Sequence, residues 1–385
     1  ALQALSGDEP DEDLAAVAGQ LGRFLVLNGQ FDEARPHLEL ALELAEALAL
    51  PEVFAEALTS KSTLLTRRNR LNESRILLEG SLAHALAHDL PAPSLRAYNN
   101  LAVALESLDR YGEALELTDR AAQLARRVGD RVWERVMLCG PISGLVLLGR
   151  WDEATTRAVE AESLPAADQV QNQALLLHLV EIDCRQGKLA EARARLESFE
   201  PVRDSEEVWG WTTFALHEGM VLRAEGNPTA AIETLEHVLS RQEELGVTNL
   251  IIKLSFVELL ESAFELGDTG RLEQALAAID SLRPGERPPL LSAHADRFHA
   301  RLSTNPAEIE SRFARAAESF VELGMSFWLA VTQLEHGEWL AHQGRGSEAA
   351  ALLADARDTF ERLEARPWLE RLSASDAPQL VEAPV

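Results

Sequence analysis

Residues that cross-link chains or fill strands are scarce in this sequence. It has two cysteines, Cys139 and Cys184, both in apolar stretches. Two cannot build a disulfide framework, and they read as buried reduced thiols. Aromatic residues make up 5% of the chain and tyrosine occurs twice, so side chains that suit a pleated sheet are in short supply. No apolar run reaches the ~18 residues of a membrane-spanning helix, and no charged-then-apolar leader precedes a cleavage site. Lysine appears only at Lys61, Lys188 and Lys253 while arginine is plentiful, a usage that fits a GC-rich bacterial genome. Positive charge is outweighed throughout: 36 Lys and Arg against 63 Asp and Glu leave a formal net charge of −27. Such a field repels a phosphate backbone, so direct binding of nucleic acid or of an anionic membrane is not expected. The expected location is the cytoplasm.

Signatures of reaction centres are missing too. There is no Gly-x-x-x-x-Gly-Lys-Ser/Thr loop and no Gly-x-Ser-x-Gly elbow. His178, Glu181 and Cys184 recur at three-residue spacing on one helical face, but a metal would need at least one more ligand and no partner motif supplies it. His84 and His88 are four apart without the glutamate of a zincin, and neither His294 with His299 nor His336 with His342 has zinc spacing. The expectation is a non-enzymatic protein with no cofactor and no metal. Trp209 and Trp211 straddle one residue and point to different helix faces, which sets packing against a ligand platform as the two readings of that pair.

What the chain has is alanine and leucine, good helix formers, arranged in a repeat. Phe31-Asp32-Glu33-Ala34, Leu71-Asn72-Glu73-Ser74, Tyr111-Gly112-Glu113-Ala114 and Trp151-Asp152-Glu153-Ala154 begin at evenly spaced positions. Weaker copies start at Leu189, Pro228, Leu272 and Gly346. Stop signals such as Asn28-Gly29, Gly149-Arg150 and Gly226-Asn227-Pro228 end the first helix of a unit. Leu50-Pro51, Pro91, Gly129-Asp130 and Glu200-Pro201 separate the units, with proline at the tolerated first-turn position. Leu38, Ala41, Leu42, Ala45 and Leu48 form an apolar stripe at three and four spacing. A period of about 40 residues predicts stacked helical pairs, each covering the apolar face of the next. One array is expected over residues 1–372, opening on an acidic frayed lead (Asp8 to Asp13) and followed by a disordered tail over 373–385. The frame slips at 281–305, where Pro284-Gly285 and Pro288-Pro289 predict a long loop or a hinge. The first residue is Ala1, not Met, as in a segment of a longer protein.

The first and third units resemble the tetratricopeptide repeat. Leu21-Gly22, Leu25, Gly29, Phe31, Glu33, Ala34 and Ala41 fall where that family places its leucine-glycine pair, large residue, glycine, aromatic, glutamate and two alanines. Tyr98, Asn100, Leu101-Ala102, Leu105, Tyr111, Glu113, Ala114 and Ala121 repeat the pattern. The family's usual period is shorter, about 34 residues. The longer period here is similar to the sensor arrays of LuxR-type, maltose-activator-like bacterial regulators and of ATPase-linked signalling proteins. The segments Phe320 to Met325, Phe327 to Ala330 and Phe360 to Arg371 look like the closing repeats of such proteins. The resemblance implies an all-α fold, a right-handed superhelical solenoid of about nine repeats, whose first helices line a concave surface. Carried over by position, that surface includes Arg67, Arg96, Asn99 and Asn100, then His178, Glu181 and Arg185, then His217 and Arg223. Thr63, Val103 and Ser143 belong to it as well. Arg67, Arg96 and Asn100 would lie together as a cradle for a carboxylate, phosphate or sugar, with intramolecular ion pairs to neighbouring glutamates as the other reading. The lysines of the chaperone-tail carboxylate clamp are absent from these positions. The implied role is a sensory or scaffold module of a signalling or transcription regulator that binds a peptide, a partner protein or a small inducer. A free-standing scaffold or homodimerisation arm, and hence a homo-oligomer, is the alternative.

Overall fold

A computed structural model describes residues 11–165 and 174–376. The described residues are helical, with short connections and no strand. The helices are α1 Glu12–Leu27, α2 Phe31–Ala47, α3 Pro51–Arg67, α4 Leu71–Ala87, α5 Pro91–Ser107, α6 Tyr111–Val128, α7 Arg131–Cys139, α8 Ile142–Leu147, α9 Trp151–Glu162, α10 His178–Arg185, α11 Leu189–Glu197, α12 Glu200–Arg203, α13 Val208–Ala224, α14 Pro228–Leu239, α15 Gln242–Leu245, α16 Leu250–Leu266, α17 Thr269–Asp280, α18 Pro289–Leu302, α19 Pro306–Glu322, α20 Ser326–His342, α21 Gly346–Arg362 and α22 Arg366–Asp376. They fall into two compact units. The first comprises residues 11–141 and 159–165, the second 142–158 and 174–376.

In the first unit the connections share one geometry. Gly29, Ala49, Asn69, Asp89, Asp109 and Gly129 all have positive φ, and they recur at an even spacing, half that of the sequence repeat. At each, two backbone bonds close the preceding helix: Gly29 N–H donates to the Val26 carbonyl and Gln30 N–H to that of Leu25, at 3.1 and 2.9 Å. Ala49 with Leu50, Asn69 with Arg70 and Asp89 with Leu90 repeat the pattern. This is the Schellman closure, which satisfies the last carbonyls of a helix and turns the chain back. The repeat is thus two matching half-periods. Glycine marks the turns at Gly29 and Gly129 in the sequence; the others carry residues that bear a conformational cost in the left-handed region, so no glycine announces them.

The pairs pack through small residues. A Cβ on Gly22 would meet Leu38 Cδ2 at 2.6 Å, and one on Gly337 would meet Leu353 Cδ2 at 2.7 Å. First helices also pack on first helices: α1 on α3 and α3 on α5 in the first unit, α10 on α13, α13 on α16 and α16 on α18 in the second. Asp11 caps α1, accepting from Leu14 N–H at 2.9 Å, and Glu12 and Asp13 occupy the first turn beside the helix dipole. The acidic lead is therefore an ordered helix start from Asp11 onward; residues 1–10 lie outside the described residues.

Two features of the second unit depart from the sequence pattern. The stretch 281–305 is only a loop as far as Pro288, and Pro289–Leu302 is the helix α18, started by Pro289 in its first turn. At the other end, α22 runs through Asp376, and residues 377–385 lie outside the described residues. The last helices also fold onto the first of the same unit. Gln186 Nε2 donates to the Leu363 carbonyl at 3.0 Å and Arg362 Nη1 to the Gly149 carbonyl at 3.2 Å. The Trp151 and Phe327 rings lie 5.6 Å apart. A Cβ on Gly187 would touch Pro367 at 3.3 Å. The second unit is closed on itself.

Candidate functional site

Each unit presents a face made of adjacent first helices. In the first unit a row of polar bonds crosses α1, α3 and α5. Gln20 Nε2 donates to Glu56 Oε2 at 3.1 Å, Arg96 Nη2 to Ser60 Oγ at 2.7 Å, and Asn100 Nδ2 to Thr63 Oγ1 at 3.1 Å. Asn99 Nδ2 donates to Asn100 Oδ1 at 3.3 Å. Arg96 has no carboxylate in hydrogen-bond or ion-pair contact among the described residues, and its Nη1 is buried without a hydrogen bond. Burial, with the nearby Arg23 charge, pushes its guanidinium down to about 10, against the weaker pull of Glu56. The uncharged side chains of Gln20, Ser60, Thr63, Asn99 and Asn100 and an under-compensated cation make a surface that accepts hydrogen-bonding, negatively charged groups.

In the second unit the first helices α10, α13, α16 and α18 surround a cavity of about 800 Å³, walled further by α20 and α22. Its charged groups form a network. Arg223 Nε donates to Glu258 Oε2 at 2.9 Å. Arg297, 1% exposed, grips Glu335 with two nitrogens at 2.6 and 2.8 Å and Glu261 with a third at 2.5 Å. Arg301 Nη1 lies 2.9 Å from Glu335 Oε1, and Arg371 Nε bonds Glu338 at 2.9 Å. Burial would raise Glu261, but Arg297, Arg301 and Arg223 hold its carboxyl down to about 2. Behind this network the His178 and His217 rings meet edge to face at 4.8 Å. Burial drives both below the ordinary imidazole value, His217 to about 4, so both are neutral at pH 7. His217 Nδ1 bonds the Thr213 carbonyl at 2.7 Å, so that nitrogen carries the proton.

A family model described as the tetratricopeptide repeat matches residues 14–51 and 94–128. Those two segments are similar to the tetratricopeptide repeat, and stacked helical pairs continue through the other described residues. No curated protein matches it. Among solved structures the array is similar to a Rap protein complexed with competence and sporulation factor, at 13% identity and a TM-score of 0.54, covering 83% of this chain and 97% of that one. It is also similar to the apo quorum sensor NprR from B. thuringiensis (12% identity, 93% and 91% covered, TM-score 0.42) and to a circular tandem repeat protein with novel repeat topology (16%, 94% and 95%, TM-score 0.21).

The array carries Arg96, Asn99 and Asn100 together on the α1–α3–α5 face, while Arg67 is exposed at the last turn of α3 with no ion pair to a glutamate among the described residues. Glu181 and Arg185 are buried and ion-paired on α10, and Arg223 is engaged with Glu258. Val103 is exposed at 47% and Ser143 is buried. Trp211 stacks on His237 at 4.8 Å between α13 and α14, a packing role. Cys139 is buried and Cys184 half-buried; burial pushes their thiols up to about 11 and about 12. No group of three metal-binding side chains exists among the described residues, and none of their helices is long and apolar enough to cross a membrane. Glu258, Glu261, Arg297, Arg301, Trp328 and Arg371 lie outside the residues that the resemblance marks. Their signal was the same carry-over to first helices: Glu258, Glu261 and Glu265 on α16, and Arg297 with Arg301 on α18, recur at three and four spacing.

Proposed function

We propose that this array is a cytoplasmic, non-catalytic binding module of a bacterial signalling or transcription regulator, and that the α1–α3–α5 face of its first unit takes a peptide or a peptide-like segment of a partner protein. The observation that carries this reading is Arg96. A half-buried guanidinium bonded to a hydroxyl, with one nitrogen idle and no carboxylate partner among the described residues, is ready for an acidic side chain or a chain-terminal carboxylate. Asn99 and Asn100 beside it supply the amide donors and acceptors that match a peptide backbone. The Rap structure, of similar fold, was solved with a bound factor, which is consistent with such a role. Occupancy would bridge adjacent first helices and bias their packing, the means of passing a signal to an effector.

The test is selection of a random displayed peptide library on the purified chain, followed by titration of the enriched peptides. Arg96→Met should weaken those peptides by about 10- to 100-fold, the weight of a charge-assisted hydrogen bond. No enriched sequence, or enriched peptides indifferent to Arg96→Met and Asn100→Ala, would refute the proposal.

A further inference from the structure

The cavity of the second unit is separate from the Arg96 face and needs its own explanation. Its size, about 800 Å³, is that of a small-molecule site. Most of its charges answer one another. Arg223 is paired with Glu258, Arg297 with Glu335 and Glu261, and Arg371 with Glu338. One corner is different. Glu181 and Arg185, one turn apart on α10, form an ion pair through Glu181 Oε1 and Arg185 Nη2, while Glu181 Oε2 receives no hydrogen bond and Arg185 Nη1 gives none. Both residues are buried, at 2% and 5% exposure. The Arg185 guanidinium lies over the Phe327 ring at 4.2 Å and the Trp328 ring at 4.9 Å. Trp328 Nε1, on the same wall, is a further buried donor without a hydrogen bond. Idle buried donors and acceptors are costly in a folded protein, and a cluster of them lining one cavity calls for a partner.

The idle groups are of both kinds, side by side. Two donors, Arg185 Nη1 and Trp328 Nε1, want an acceptor such as a carboxylate. One acceptor, Glu181 Oε2, wants a donor such as an ammonium. A simple anion would leave Glu181 Oε2 unanswered beside it, and a simple cation would leave Arg185 Nη1. Among its paired charges the wall also carries the apolar side chains of Met220, Phe264, Val331 and Trp368. We propose that this cavity binds a small zwitterion of the α-amino-acid type with an apolar side chain, its carboxylate on Arg185 and Trp328 and its ammonium on Glu181. The ligand replaces no protein bond; it fills the unmet positions and lays its side chain against the aromatic wall. This site stands independently of the Arg96 face.

The experiment is calorimetric titration of the full chain with L-phenylalanine, L-leucine, 3-phenylpropionate, which lacks the ammonium, and 2-phenylethylamine, which lacks the carboxylate. At least one amino acid should bind with one-to-one stoichiometry, and both half-analogues should bind about 10-fold or more weakly. Glu181→Gln, close in size to the native side chain, and Trp328→Phe, which keeps an aromatic ring but removes the donor, should each weaken the amino acid. Glu181→Gln should leave 3-phenylpropionate unchanged, and Arg96→Met should leave all of them unchanged. Either variant that folds suffices for the comparison. The proposal fails if no amino acid binds at millimolar concentration, if a half-analogue binds as tightly as the amino acid, or if both variants bind as the wild type does.

Discussion

Arg297 offers the sharpest test of the energetics of the second unit. It reaches from α18 to Glu335 on α20 with two bonds and to Glu261 on α16 with a third, and both arginine and Glu335 are almost wholly buried, at 1% and 3% exposure. Arg297→Met keeps most of the side-chain volume but strands two carboxylates. Breaking a buried pair from one side costs about 3–5 kcal/mol, because the remaining charge loses its partner without regaining water. Here Arg301 stays within 2.9 Å of Glu335 and 3.8 Å of Glu261 and offsets part of that, so a loss of about 3 kcal/mol is expected. Glu335→Gln alone removes the charge that takes two of the three Arg297 bonds and leaves Glu261 as its carboxylate partner. The double variant removes one charge of each sign and should cost less than the two single changes added together, by roughly 1–3 kcal/mol. Urea unfolding followed by tryptophan fluorescence reads all four proteins, since the Trp328 ring lies 5.3 Å from the Arg297 guanidinium. A single-variant cost below about 1 kcal/mol, or strict additivity, would show that the network is not a coupled unit.

Acid should loosen the second unit before its carboxylates titrate. The folded-state value of His217 is about 4 against an ordinary 6.5, because burial disfavours the charged ring. A depressed folded value means that stability is complete above pH 6.5 and is lost as pH falls toward 4, on the order of 3 kcal/mol in all at about 1.4 kcal/mol per pKa unit. His178 and His294 shift in the same direction. Melting temperature measured from pH 7.5 to 5 should therefore fall, and His217→Phe should flatten the curve; an unchanged slope in that variant contradicts the assignment. Two glycines should behave oppositely. Gly22→Ala drives a methyl to 2.6 Å from Leu38 and should cost about 1–3 kcal/mol, whereas Gly80→Ala meets nothing within 4 Å on an exposed helix face and should gain up to ~1 kcal/mol. Equal effects in chemical denaturation would mean that the helix crossing does not depend on the small residue.

The fold was legible because its rule is local. Phe31, Leu71, Tyr111 and Trp151 recur at one spacing, and each pair buries its face on the next, so sequence neighbours suffice to announce the architecture. Left-handed turns at Ala49, Asn69, Asp89 and Asp109 were hidden, since only glycine advertises that conformation. The interruption between α7 and α8, where Pro141 cannot donate to the helix ladder, has no counterpart in the repeat pattern. His178, Glu181, Arg185, His217 and Arg223 could be placed on first helices by counting along the repeat. The count stopped where the frame slipped, which left Glu261, Arg297 and Arg301 unassigned. What no count could supply is the meeting of residues from the two ends of the second unit, because periodicity encodes the next neighbour and not the last one.

That meeting alters how the molecule comes apart. In an open stack every bond joins nearby stretches of chain, so the end pieces can peel away while the middle persists. Gln186 and Leu363 are 177 positions apart, and Gly149 and Arg362 are 213. A loop of that length is closed against a large entropic penalty and late in assembly. Residues 11–141 are thus free to fray from their outer edge, while residues 174–376 hold or melt as a hoop does, whole until one fastening gives. Amide exchange should register the contrast as graded protection in the one stretch and a shared opening rate in the other.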